Sequence, residues 1–393
     1  MILEAFRKYY GVTEGIRVFR APGRVNLIGE HTDYNLGLVL PIALDMACYV
    51  GSADSQDRLL HVYSEEKHAS RQWTVNEIAS LKPARDWSDY IIGVAQALIR
   101  VGYDIRPKRF LIHSTVPEGS GLSSSAALEV SSALALLDGR PIDPLQLAKL
   151  CQQAEITFIG LPVGIMDQYV SVFGQEHAAL KIDCRSLDHE TVKLPDGIEI
   201  LAVNTMVKHA LADSAYKERT EQCAAAVEAI RKLDPSVRSL RDVTIAMLER
   251  AAPSMPQVVV RRARHVITEN DRLELFVKAS RSGDIERMGQ LMVESHVSLQ
   301  HDYEVSSPEL DFLVDIAIGT AGVLGARMTG GGFGGCTVNL LRQGAGPRFR
   351  ETVSHAYEQR FGIVPEIFDC RPSRGAGEVK NLERIPSSAA LRD

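Results

Sequence analysis

The chain has 393 residues, a length that at roughly 100–200 residues per domain suggests two domains and excludes a peptide or small stapled scaffold. Its 44 basic and 50 acidic side chains leave a net charge of −6, with 24% charged and 45% hydrophobic residues. That balance is ordinary for a soluble globular protein and supplies no net attraction for nucleic acid or an anionic membrane surface, so neither is expected as a partner. Cys48, Cys151, Cys184, Cys223, Cys336 and Cys370 never fall within three residues of one another, so no zinc ribbon or CxxC redox pair is written here and reduced, buried thiols are expected. The opening MILEAFRKYYGVTEG lacks the apolar run and cleavage site of a signal peptide, and no stretch approaches 18 uncharged apolar residues. A cytoplasmic monomer is expected.

In chain order, IRVF, LVLPIALDMACYV, LLHVY and RFLIHSTV read as strands, and DWSDYIIGVAQALIRVG and SSSAALEVSSALALL as helices, with glycine and proline between them. This is mixed α and β packing. After AALKID and IEILAVNT come long helical stretches, Tyr216 to Leu233 and Arg272 to Ser298, then SSPELDFLVDIAIG and VLGARMTGGGFGGCTVNLL. The change of character near 180–200 places a boundary there, giving two domains, 1–190 and 191–393. No 20–50-residue repeat is present, and the polar tail SRGAGEVKNLERIPSSAALRD is expected to be loosely held.

Three segments are too charge-dense or glycine-rich for ordinary loops. APGRVNLIGEHTDYN, residues 21–35, packs Arg24, Glu30, His31 and Asp33 into ten positions around apolar Val25, Leu27 and Ile28. Polar groups at the edge of a core suit a polyhydroxylated ligand, although a solvated turn after a strand would read the same way. VPEGSGLSSSAALEV, residues 116–130, sets a glycine-rich turn between a strand and a helix. First-turn N–H groups and the positive end of the helix dipole make that an anion site, while the plain alternative is that Ser123 caps the helix. No GxxxxGK[ST] string occurs, which disfavours a standard P-loop NTPase. ARMTGGGFGGCTV, residues 326–338, contains a literal GxGxxG at Gly330, Gly332 and Gly335, but CTVNLL reads as a strand where a dinucleotide fingerprint must open a helix. A nicotinamide oxidoreductase is therefore disfavoured.

Asp167, in GIMDQ, stands at the entrance of the apolar YVSVFG. With Arg24 as partner it would stay ionised and accept a proton from a substrate hydroxyl; alone it would read as a helix cap. Glu155 reads equally as a magnesium ligand or a surface helix glutamate. The residues by themselves point to phosphoryl transfer to an alcohol.

GRVNLIGEHTDYN closely resembles the galactokinase signature, PEGSGLSSSAA the phosphate loop of the galactokinase, homoserine kinase, mevalonate kinase and phosphomevalonate kinase (GHMP) superfamily, and MTGGGFGGC its third motif. VKHALADSAYKERTEQC, RARHVITEN and ESHVSLQHDYEVSSPELDFLV are similar to galactokinases as well, so the resemblance spans roughly residues 15 to 370. It implies a two-domain α+β fold with the active site in the interdomain cleft, and ATP-dependent phosphorylation of the anomeric hydroxyl of D-galactose. It further implies that Glu30, His31, Thr32 and Asp33 bind sugar hydroxyls with Gly164 and Tyr216, that Asp167 is the base, and that Arg24 stabilises charge. Gly119, Ser120, Gly121, Leu122, Ser123, Ser124 and Ser125 would wrap the nucleotide phosphates, Ser64 would touch the nucleotide, and Ser125 and Glu155 would hold Mg2+. Leu36 stands where many galactokinases carry aspartate or glycine. The competing readings are a kinase of the same superfamily for N-acetylgalactosamine or arabinose, and a non-catalytic galactose and ATP sensor.

Overall fold

The computed structural model describes residues 2–208 and 212–380. Helix α1 (Ile2–Tyr10) is followed by β1 (Arg17–Asn26), β2 (Leu38–Val39), β3 (Pro41–Asp54), β4 (Leu59–Ser64) and β5 (Ala69–Thr74). Helix α2 (Asp89–Arg100) precedes β6 (Lys108–Ser114), and α3 (Ser124–Leu137), α4 (Pro144–Ala154) and α5 (Met166–Phe173) come next. Strands β7 (Ala178–Asp183), β8 (Asp188–Lys193) and β9 (Ile198–Lys208) lead to the helices α6 (Ala212–Arg231), α7 (Ile245–Ala251), α8 (Gln257–Ser282), α9 (Ile285–Ser298) and α10 (Pro308–Ile318). The remainder is β10 (Val323–Thr329), β11 (Gly334–Arg342), α11 (Gly346–Phe361), β12 (Glu366–Asp369) and β13 (Gly377–Glu378).

The strands form a six-stranded sheet, β13-β1-β3-β6-β4-β5, a four-stranded sheet, β10-β11-β9-β12, and a three-stranded sheet, β2-β7-β8. Among the described residues all strand pairings are antiparallel except β4 with β6. Strand β3 reads as an almost unbroken apolar run because both faces of its sheet are covered. Ala47, Tyr49 and Ala53 turn toward Ile2 and Phe6 of α1, while Cys48 and Val50 enter the main core. On that side lies α3, whose alanines and serines let it pack between the sheet and its neighbouring helices. The second sheet is likewise covered twice: Leu201, Val203 and Leu341 meet Leu313, Phe349 and Tyr357, while Val338 and Leu340 belong to the same apolar cluster as Phe19 and Val50. All six cysteines are buried and unpaired, as expected.

Two differences from the sequence reading have local causes. The helical stretch from Arg272 to Ser298 is two helices, because Gly283 takes φ +72° and ends α8. The expected loose tail is held as far as residue 380: Gly377 and Glu378 pair with Arg20 and Phe19, and the Glu378 carboxylate meets Arg17 at 2.7 Å. The added strand covers an edge of β1 that would otherwise expose unpaired backbone groups. Residues 381–393 lie outside the described residues.

Candidate active site

The register of β1 against β3 shifts between Pro22 and Arg24. Such a bulge tolerates proline within a sheet and re-aims the side chain beside it. Arg24 is thereby turned toward α5 and is only 6% exposed. Its Nε and Nη2 each lie 2.7 Å from one oxygen of Asp167, and its Nη1 donates to the Gly121 carbonyl oxygen. The Asp167 carboxylate therefore does not cap α5; it forms a two-point pair with Arg24. Burial weakens the Arg24 charge, but Asp167, Glu30 and Asp33 together outweigh it and hold the guanidinium above its ordinary value.

Ser123 resolves a second ambiguity. It takes φ +63°, its side chain makes no cap bond to α3, and its hydroxyl donates instead to the Asp167 carboxylate. The first turn of α3 is thus left uncapped at the end of the glycine loop, as an anion site requires. The loop is positioned by Arg24, whose N–H donates to the Leu122 carbonyl at 3.0 Å, and by the third motif. The glycines of that motif turn between the antiparallel strands β10 and β11, so they open no helix and the dinucleotide reading has no structural support. Gly330 has φ +83°, and a Cβ there would stand 3.3 Å from the Gly121 carbonyl oxygen, which explains why glycine is needed where the loops approach.

On one side of this contact is a cavity of about 220 Å³. Arg24, Glu30, His31, Asp33, Gly164, Asp167 and Tyr216 line it, with Gly330, Gly331 and Gly332 supplied by the third motif. A Cβ at Gly164 would collide with the Asp33 carboxylate, so only glycine allows that approach. Glu30 is paired with Arg327 at 2.7 Å, both essentially without solvent contact, yet burial still holds its carboxyl above the usual range. Asp33 is raised to about 7, first by burial and then by repulsion from Asp167 and Glu30. His31 falls to about 3 because burial, His265 and Arg327 disfavour its charge, so the ring is neutral. Its Nδ1 is 2.9 Å from the Tyr34 hydroxyl. Thr32 stands apart: its hydroxyl is bonded to the Gly29 and Leu38 carbonyls and it does not line the cavity. Leu36 is 39% exposed and is also outside the lining.

On the other side, a cavity of about 200 Å³ is lined by Ser64, Gly119, Ser124 and Ser125, together with Trp87, Tyr90 and Leu128. Ser120 and Leu122 are buried within the loop itself, Ser120 donating to the Pro117 carbonyl at 2.8 Å. Sequence reasoning missed Tyr34, Trp87 and Tyr90. An aromatic pair three residues apart at a helix start was the available signal for the latter two.

Glu155 opens a π-helical turn after α4 and is 5% exposed, which removes the surface-glutamate reading. Its carboxyl is raised to about 7 by burial and by Asp167. The Gln168 amide bridges Glu155 at 2.8 Å and Glu129 at 2.9 Å, and the other oxygen of Glu129 is buried without a partner among the described residues. Glu129 lies one helical turn beyond Ser125 on α3. An under-neutralised set of oxygen donors beside a phosphate loop fits Mg2+, which takes one or two protein oxygens and completes its shell with water and phosphate. The described residues contain no group of three or more histidine, cysteine, aspartate or glutamate ligands, so a dedicated all-protein cage is not what the site offers.

Residues 4–53 match the galactokinase galactose-binding signature, 89–175 the GHMP kinases N-terminal domain and 276–359 the GHMP kinases C-terminal domain. A galactokinase of Roseiflexus sp. (strain RS-1) is 43% identical over 97% of each chain. The crystal structure of Lactococcus lactis galactokinase complexed with galactose superposes with a TM-score of 0.91, at 34% identity, over 96% of this chain and 98% of that one. Methanococcus jannaschii mevalonate kinase, at 18% identity and a TM-score of 0.68 over 91% and 98% of the two chains, shares the fold.

Proposed function

The chain belongs to the galactokinase family and has the GHMP-kinase fold, and on that premise we propose that it transfers the γ-phosphoryl group of ATP to the anomeric hydroxyl of D-galactose. The observation that carries the assignment of roles is the Asp167 carboxylate, which forms one wall of the polar cavity while bonding Arg24 and Ser123 of the phosphate loop. A hydroxyl bound there lies between a proton acceptor and the place where phosphate arrives.

Asp167 accepts the proton of the attacking hydroxyl as the new P–O bond forms and the bond to ADP breaks. Arg24, fixed by its two-point pair, stabilises negative charge spread over the transferring group. Glu30, neutral His31 and Asp33 orient the sugar through its hydroxyls, Tyr216 and Gly164 bound the pocket, and Thr32 acts indirectly by fixing the turn. Residues 119–125 take the phosphates on backbone N–H groups and on the Ser124 and Ser125 hydroxyls. Ser64 contacts the nucleotide, and Trp87 and Tyr90 offer aromatic faces to adenine. Ser125 and Glu155 would hold Mg2+, which supplies neutralisation of phosphate charge when bound.

The division into domains 1–190 and 191–393 is part of the proposal, supported by a first sheet drawn mainly from 17–114 and a second from 198–369. So is a monomeric cytoplasmic protein; no helix among the described residues is long and apolar enough to cross a membrane. ADP release from MgATP with galactose, glucose, N-acetylgalactosamine, talose and arabinose tests the reading against a no-sugar control. Galactose-dependent release is expected. Release with another sugar alone would move the specificity, and binding of galactose and ATP without release would favour a sensor.

A further inference from the structure

The turn carrying Glu30 and His31 is gripped from behind by α8, through the RARHVITEN stretch that the catalytic assignment leaves unexplained. Glu269, wholly buried, accepts the N–H groups of Gly29 at 3.0 Å and Glu30 at 3.3 Å on its Oε1, which also accepts the Ser295 hydroxyl at 2.6 Å. Its Oε2 takes the Nε–H of Arg272 at 2.7 Å. One helical turn earlier, His265 Nε2 lies 3.1 Å from the Glu30 carbonyl oxygen.

The turn needs such a grip. Gly29 has φ +88° and His31 φ +61°, and a non-glycine residue persists in that region only where its surroundings hold it there. The segment is buried, where an unmade backbone bond is costly. Burial alone would raise the Glu269 carboxyl, but Arg272, His265, Arg327 and the Ser295 hydroxyl outweigh it and bring it down to about 2. The side chain is an anion throughout the working pH range.

We propose that Glu269 is the positioning residue of the sugar-binding turn: its carboxylate stands in for a strand partner of the Gly29 and Glu30 amides and so sets the aim of Glu30 and His31 into the cavity. Galactose affinity then depends on a side chain that does not line the cavity. The inference rests on the galactose reading above. Glutamine cannot replace this carboxylate, because with its oxygen toward the turn its amide group meets the Arg272 donor, and reversed it presents donors to donors.

The test compares wild type with Glu269→Gln, Glu269→Asp and Ser295→Ala. Galactose affinity is read by calorimetry without nucleotide, the two KM values and kcat by ADP release, and Tm by circular dichroism. Losing charge-assisted bonds of about 1.5–3 kcal/mol, Glu269→Gln raises the galactose Kd and KM about tenfold or more while the ATP KM and kcat stay within about threefold. Glu269→Asp keeps the charge for Arg272 but withdraws from the turn, and raises the galactose KM by about fivefold. Ser295→Ala breaks a bond to the same oxygen without touching the turn and leaves the galactose Kd within about twofold. Lowered Tm and kcat with an unchanged galactose KM, or an equal loss of affinity in Ser295→Ala, would overturn the proposal. Should the glutamine variant not fold, an unchanged galactose KM in Glu269→Asp overturns it alone. Wild-type protein without galactose-dependent ADP release would count against the functional reading instead, and calorimetry would still decide the role of Glu269 wherever galactose binds.

Discussion

Arg327→Met removes the cation that neutralises Glu30 across the contact between β10 and the sugar-binding turn. Arg327 is 0% and Glu30 3% exposed, Nη2 stands 2.7 Å from Oε2, and Nη1 donates to the Asn26 carbonyl at 3.3 Å. Stranding a buried charge is usually worth about 3–5 kcal/mol. Here protonation bounds it, since a glutamate with an ordinary pKa near 4.3 can be neutralised at pH 7 for about 1.36 × (7 − 4.3), or roughly 3.7 kcal/mol. The lost bond to Asn26 adds about 1 kcal/mol, while the remaining attraction of Arg24 for Glu30 and the already raised Glu30 carboxyl reduce the charge part. The expected loss at pH 7 is about 2–4 kcal/mol. In the variant the folded protein holds a proton that the unfolded chain releases, so the loss grows as pH rises from the unfolded pKa and shrinks to about 1–2 kcal/mol at pH 5. Urea denaturation at pH 5, 6 and 7 measures it, and adding Glu30→Gln should recover part of the loss at pH 7. A loss below about 1 kcal/mol at every pH would refute the view that Glu30 is a buried anion held by Arg327.

The site sets other outcomes as well. Gly164→Ala should weaken galactose binding about tenfold or more by displacing the Asp33 carboxylate, with the ATP KM unchanged, as calorimetry and initial rates would show. Because Asp33 titrates near 7 and sugar hydroxyls favour its ionised form, galactose affinity should rise with pH up to about 7 and level above it. The same raised pKa means that stability of the sugar-free protein falls as pH climbs from the unfolded aspartate value of about 4 toward 7. Trp87→Ala should raise the ATP KM by the worth of one base stack, about 1–3 kcal/mol or roughly 5- to 150-fold, and leave the galactose Kd unaltered.

What could be read from the sequence was the chemistry-bearing strips; what could not was their support. Arg24, Glu30, His31, Asp33 and Asp167 were legible because charged residues beside apolar ones, and glycines beyond the needs of a turn, are unusual in short stretches. That Ser123 abandons the helix cap for Asp167 was not, since the choice depends on a carboxylate 44 residues away. Thr32 shares the motif of the cavity residues, yet the left-handed turn at His31 directs its hydroxyl inward. Arg327 and Glu269 lie 297 and 240 residues from their partners, and no periodicity or spacing reports such contacts. The strand at 377–378 was hidden by a polar composition that suits an edge as well as a loose tail.

The central claim, that Asp167 takes the proton from a galactose hydroxyl during transfer from ATP, is tested most directly by Asp167→Asn with kcat and galactose binding measured on the same preparation. The account predicts a kcat lower by about 10²–10⁴-fold, the usual worth of a positioned base, with galactose still bound within a few-fold of wild type. Near-normal kcat in that variant would contradict it.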